Sequence, residues 1–157
     1  KIESQDSEEF VYNSNIIENV NYSSKDLEGN QYTIKATNGE IDFKQNDIIF
    51  LKNVKAIIEF NNKNRIEIFS NYGKYNSNNF DTIFSKNVVI NYLDNKITSD
   101  YLDLSMQRNS MIISKDVTFT NLENILKADV VEMNIGTKDI KVFMHKKNDK
   151  IEIKSKQ

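Results

Sequence analysis

The stretch Lys52-Asn53-Val54-Lys55-Ala56-Ile57-Ile58-Glu59-Phe60 decides the fold of this chain. Apolar side chains fall at Val54, Ala56, Ile58 and Phe60, alternating with Lys55 and Glu59. Period two belongs to a strand with one face buried and the other wet. Asn61-Asn62-Lys63-Asn64 follows, and asparagine tolerates the left-handed backbone and local side-chain bonding that a hairpin turn demands. Arg65-Ile66-Glu67-Ile68 then alternates again as the returning strand.

The same sentence is written four times. A charged residue, Asn or Asp, then Val recurs as Glu18-Asn19-Val20, Lys52-Asn53-Val54, Lys86-Asn87-Val88 and Lys115-Asp116-Val117, the valines 34, 34 and 29 residues apart. Each opens an alternating run, meets a polar turn (Glu28-Gly29-Asn30, Asn61–Asn64, Asp94-Asn95, Glu123-Asn124) and returns as Tyr32–Ala36, Arg65–Ile68, Lys96–Ser99 or Ile125–Ala128. A third segment closes each unit: Ile48–Leu51, Thr82–Phe84, Met111–Ile113 and Ile140–Met144. Asn38-Gly39 is the strongest single hairpin signal. Repeats of this period signal stacked units that cannot bury their apolar faces alone. The expectation is all-β, with about 12 to 15 short strands in two facing antiparallel sheets. Tyr101–Met106 is read as strand.

Composition narrows the function. The chain has 157 residues, about one domain, with no cysteine and a net charge of −2. A disulfide scaffold, a thiol nucleophile and a Cys-based metal site are excluded, and no global basic field draws the chain to nucleic acid. The 23 Asn and 21 Ile, against three Ala and no Pro, reflect A/T-rich codons more simply than any activity. No run approaches the roughly 20 apolar residues of a membrane helix. Residues 1–9 read as a linker end, 10–144 as the domain, and 145–157 as a lysine-rich solvated tail. The start at Lys1 rather than Met fits a chain processed, or cut, just after a targeting or anchoring segment.

Catalytic candidates are few. His145 is the one histidine and has no second ligand with which to hold zinc. Asp100 and Asp103, three apart on a strand, would face opposite sides and could not flank one bond. The four glycines are scattered, so no phosphate-cradling loop can be written. The expectation is a non-enzyme without cofactor or metal. The apolar positions Tyr32, Ile34, Ile58, Phe60, Ile66, Ile68, Ile90, Tyr92, Val117 and Phe119 carry the binding reading; by themselves they equally suit an ordinary sandwich core.

Over Ile17 to Met144 the chain resembles the periplasmic lipopolysaccharide-export proteins of the LptC type, with their relatives LptA and the N-terminal domain of the outer-membrane assembly protein. Gly29-Asn30-Gln31-Tyr32-Thr33-Ile34-Lys35-Ala36 is similar to the Gly-x-x-Tyr-x-Ile-x-Ala stretch that opens LptC-like domains. Phe84-Ser85-Lys86-Asn87-Val88-Val89-Ile90 resembles their repeated Asn-Val strand, and Ile97-Thr98-Ser99-Asp100-Tyr101-Leu102-Asp103-Leu104 the segment after it. Relatives often carry Gly before the Asn, where Glu or Lys stands here.

The resemblance implies an open, twisted β-jellyroll whose ten apolar positions line a groove for the acyl chains of lipopolysaccharide. It implies a periplasmic protein tethered to the inner membrane by an N-terminal segment absent from this sequence. It also implies partners at two free sheet edges: an inner-membrane ABC transporter at Ile16, Val20 and Tyr22, and an LptA-like bridge protein at Ile140, Val142 and Met144. The alternative is a non-enzymatic structural or carbohydrate-binding β-solenoid of the cell surface. A second open point is whether Ile151-Glu152-Ile153 folds back to cover the C-terminal edge; alternation in Ile140–Met144 favours an open one.

Overall fold

The computed structural model describes residues 15–144 and 150–153. The linker reading of residues 1–9 and His145 lie outside them. Ten strands form one antiparallel sheet in sequence order: β1 (Ile16–Lys25), β2 (Gln31–Ile41), β3 (Ile48–Glu59), β4 (Arg65–Asn76), β5 (Thr82–Tyr92), β6 (Asn95–Ser105), β7 (Ser110–Thr120), β8 (Ile125–Asn134), β9 (Ile140–Phe143) and β10 (Lys150–Ile153). The described residues contain no helix.

All-β is therefore right, but the 12 to 15 short strands in two sheets are replaced by ten strands in one sheet, eight of them 10 to 12 residues long. The closing segment of one unit and the Asn-Val run of the next are a single strand: Ile48–Leu51 with Val54–Glu59 in β3, Thr82–Phe84 with Val88–Tyr92 in β5, and Met111–Ile113 with Val117–Phe119 in β7. The repeated motif marks the joint between these halves. Asn19 and Asn53 (φ 56° each), Lys86 and Asn87 (φ 70° and 54°), and Lys115 and Asp116 (φ 68° and 58°) all lie in the left-handed region. Asn and Asp enter that region at less cost than other L residues, and one such residue in mid-strand bends the chain.

The bend shows in the burial pattern as well. Alternate residues are buried along each half-strand, but across the joint the spacing becomes three (Ala36 to Gly39, Leu51 to Val54, Ser70 to Gly73, Ser99 to Leu102) or four (Phe84 to Val88, Ile113 to Val117). The fours belong to β5 and β7, where two left-handed residues stand against one on the neighbouring strand. The inserted residue keeps the same face of the sheet inward on both sides of the joint. Side chains satisfy backbone freed there: Ser70 Oγ donates to the Tyr72 carbonyl at 2.8 Å, Ser99 Oγ to the Tyr101 carbonyl at 3.1 Å, and Thr37 Oγ1 to the Lys52 carbonyl at 3.2 Å.

Two expectations fail for the same reason, that ladder pairing outranks local signals. Asn38-Gly39 is no turn: Asn38 pairs with Lys52 and Gly39 with Leu51 inside β2–β3, and the connection runs from 42 to 47. Gly39 is needed for space instead, since a Cβ there would meet Val20 Cγ2 at 3.0 Å and Leu51 Cδ2 at 3.1 Å. Ile140–Phe143 is not the outer C-terminal edge. β10, within the segment read as a solvated tail, pairs antiparallel with β9, Ile151 opposite Val142 and Ile153 opposite Ile140. Asp100 and Asp103 also differ from expectation. With Ser99, Leu102 and Leu104 buried, the slip in β6 leaves both carboxylates off the interior face.

The turns are held by short side-chain acceptors. Asp26 Oδ1 accepts from the backbone of Glu28 and Asn30, Asn76 Oδ1 from Asn78, and Asn121 Oδ1 from Glu123 and Asn124. These bonds mimic a backbone turn, so the Asn-rich loops close tightly without proline.

Candidate functional site

The ten apolar positions named from the sequence occupy one face of one half of the sheet. Tyr32, Ile58, Ile66 and Tyr92 stand opposite one another across β2, β3, β4 and β5. One row nearer the bend, Ile34, Ile68, Ile90 and Phe119 lie in a second line completed by Ala56 and Ile97. All ten are at most 3% exposed. Lys55 is exposed and Glu59 and Asn91 are half-buried on the opposite face, as the alternation requires.

The other wall comes from the same sheet. Tyr22 of β1 stacks on Tyr75 of β4 with ring centroids 5.1 Å apart and planes at 18°. Lys138, in the β8–β9 turn, holds its Nζ 4.4 Å from the ring centre of Phe60, at the far end of β3. Strands so distant in the ladder meet only because each is bent at its joint, laying one half of the sheet over the other. The second wall is Leu51, Phe84, Leu102, Leu104, Met111, Ile113, Val131 and Met133, none more than 2% exposed. Six of its residues lay in segments already read as strands, while Val131 and Met133 lay beyond the segment read as ending at Ala128; their role was missed because the joint that turns them inward looked like a strand start.

Polar groups in this interior are few, and Asp81 Oδ1 is buried without a hydrogen-bond partner. Tyr32 Oη and Thr82 Oγ1 are 2.7 Å apart, and Thr82 Oγ1 also donates to the Phe80 carbonyl at 3.1 Å. Burial pushes the Tyr32 phenol far above its ordinary range, because the phenolate would lose its water. Tyr75 is pushed up to about 12, mainly by burial and secondarily by the neighbouring Tyr22. Among the described residues no group of three or more His, Cys, Asp or Glu could hold a metal ion.

The filled centre gives way at its margins. Ile17 and Tyr22 on β1, Ile41 at the end of β2, Leu126 and Ala128 on β8, and Met144 after β9 are only partly buried against the core. The expected edge residues divide: Val20 is 4% exposed, Ile140 2% and Val142 0%, whereas Ile16 is 49% exposed and Tyr22 and Met144 half-buried. β1 pairs with β2 alone among the described strands. β9 covers Val130–Met133 of β8 but not Ile125–Asp129, so the lower half of β8 is a margin too.

No helix among the described residues is long and apolar enough to cross a membrane. A search of curated proteins finds no match to this sequence. A family model does: lipopolysaccharide-assembly, LptC-related, matching residues 3–148. That match spans nearly the whole bent sheet, from the strand before the first Asn-Val joint to the end of β9, and by it the chain belongs to the LptC family of lipopolysaccharide-transport proteins.

Proposed function

We propose that this chain is a periplasmic carrier that receives lipopolysaccharide from an inner-membrane ABC transporter and passes it to an LptA-like bridge protein. The bent sheet then acts as an open jellyroll, with the acyl chains between its two halves. The observation that carries this reading is the continuous apolar interior, filled at its centre and bordered by half-buried Ile17, Tyr22, Leu126, Ala128 and Met144 at the margins. Each methylene moved from water into such an interior gains about 0.8 kcal/mol, so a ten-carbon stretch supplies roughly 8 kcal/mol toward parting the margins. The ten buried residues are the floor, and the margins are where a chain enters.

The side of β1 turned away from β2, which no other described strand pairs with, suits docking toward the transporter, since N–H and C=O groups along such an edge can extend a ladder. On the other side the docking edge moves from β9 to β10 or to Ile125–Asp129 of β8. The filled centre also fits the structural or carbohydrate-binding solenoid, although consecutive antiparallel pairing is a meander rather than stacked parallel coils. A photoreactive residue at Ile90, compared with one at Asn91, separates the two. The carrier reading expects lipopolysaccharide adducts from Ile90 and few from Asn91. Equal yields, or none from any inward position, would reject it.

A further inference from the structure

The outer face of β3 and β4 carries a second pattern that the interior does not use. Three cross-strand pairs in succession join an aromatic ring to a lysine: Phe50 with Lys74, Lys52 with Tyr72, and Lys55 with Phe69. Lys55 Nζ lies 5.5 Å from the centre of the Phe69 ring. Lys35 stands directly opposite Lys55, an arrangement of like charges that costs stability unless an anion relieves it. Phe50 and Tyr72 are 45% and 48% exposed, an unusual outlay of aromatic surface for a face turned to water.

Three of these residues, Phe50, Lys52 and Tyr72, line a concave site. A cavity of about 240 Å³ lies between Ile16, Glu40, Phe50, Lys52 and Tyr72, over the main chain at Gly39 and Gly73. We infer that this outer-face cavity binds the phosphorylated sugar headgroup of a glycolipid. The flat C–H face of a pyranose ring matches the rings of Phe50 and Tyr72. Sugar hydroxyls find acceptors in the Glu40 carboxylate and the Asn38 amide, both at the cavity wall. Lys52 at the rim and Lys74 beside it supply cations for a phosphate. An acidic peptide fits less well, because Glu40 would stand against its carboxylates without hydroxyl donors to meet it.

The choice of a glycolipid headgroup over a free sugar phosphate rests on the lipid-carrier reading above, and the two can fail separately. The probe is lipopolysaccharide stripped of its acyl chains, titrated into the isotopically labelled whole chain and followed by NMR. Expected are saturable shifts at Gly39, Phe50, Tyr72 and Gly73, and roughly tenfold weaker binding in the double variant Phe50→Ala, Tyr72→Ala. Lys52→Gln with Lys74→Gln should weaken binding and flatten its salt dependence, as should enzymatic removal of the probe's phosphates. Because all four side chains are exposed, these variants should keep the parent melting temperature. Shifts absent at saturation, unchanged binding in both double variants, tighter binding of glucose 1-phosphate, or displacement by a glutamate-rich peptide would each overturn the assignment. Adducts of intact lipopolysaccharide at Ile90 report on the interior alone, so their presence without outer-face shifts rejects this site and leaves the carrier reading standing.

Discussion

The hydroxyl of Tyr32 in β2 lies 2.7 Å from that of Thr82 in β5, two residues that a flat sheet would hold far apart. The cross-strand row of Tyr32 reaches β5 at Tyr92, ten residues from Thr82. In a flat sheet that means about 14 Å across three strand spacings and some 33 Å along them. The bond closes one half of the sheet onto the other. Tyr32→Phe should therefore cost about 1 kcal/mol, lowering the melting temperature by roughly 2–4 °C, and Thr82→Val a similar amount. A double-mutant cycle by calorimetry should show the two losses to be non-additive; full additivity would mean the bond does not contribute.

The joints are strained where lysine occupies the left-handed region. Lys86 at φ 70° is exposed and touches no ring, so Lys86→Gly should stabilise the chain by about 1 kcal/mol. Lys115→Gly should gain less, because Lys115 Nζ sits 4.9 Å over the Tyr101 ring and that attraction would be lost. Asn53→Val, a β-branched residue at φ 56°, should destabilise by more than 1 kcal/mol. Urea midpoints of the three variants check the order; a destabilised Lys86→Gly would sink the argument.

Ile90 is 1% exposed in the row that joins Ile68 to Ile97. Ile90→Asp places a carboxylate where no partner or water awaits it, and should unfold the domain or destabilise it by several kcal/mol. Asn91→Asp, one residue on and on the opposite face, should leave the circular dichroism spectrum and melting point unchanged. Matching effects of the two would reject the register.

Alkaline pH should unfold this protein. Tyr32 and Tyr75 both have phenol pKa values raised by burial, Tyr75 to about 12, whereas in the unfolded chain they ionise near 10. Above pH 10 the unfolded state binds fewer protons than the folded one, so stability falls as pH rises; below pH 10 these two groups contribute no slope. Absorbance at 295 nm should show some tyrosines titrating normally and a late group appearing with unfolding. Tyr75→Phe should shift that onset to higher pH, and an unchanged onset in both Tyr75→Phe and Tyr32→Phe would count against this account.

Removing residues 145–157 should leave the core folded, since among the described residues the buried apolar cluster runs from Val20 to Val142, all before the cut. It would also bare the β9 edge that β10 covers. The shortened chain should self-associate more at high concentration, which sedimentation velocity can read. An unchanged monomer fraction would mean that β10 gives β9 no protection.

Alternation in Lys52–Ile68 by itself determined that these residues are strands, which side chains point inward, and where the turns fall, because a strand's faces are set by period two and its turns by Asn, Asp and Gly. Ile58, Phe60, Ile90 and Phe119 are interior for that reason. The recurrence of Asn/Asp-Val likewise marked the places where the backbone does something unusual. What it does there was decided only in the folded chain. Whether Asn53 starts a strand or bends one depends on the ladder from Lys52 to Tyr72 continuing through it, a pairing of residues 20 positions apart that no local pattern encodes. Hence two short strands and one bent strand look alike in sequence. The facing of Tyr32 and Thr82 and the covering of β9 by β10 are likewise settled by long-range hydrogen bonding and burial, whose free energy exceeds any single residue's turn preference.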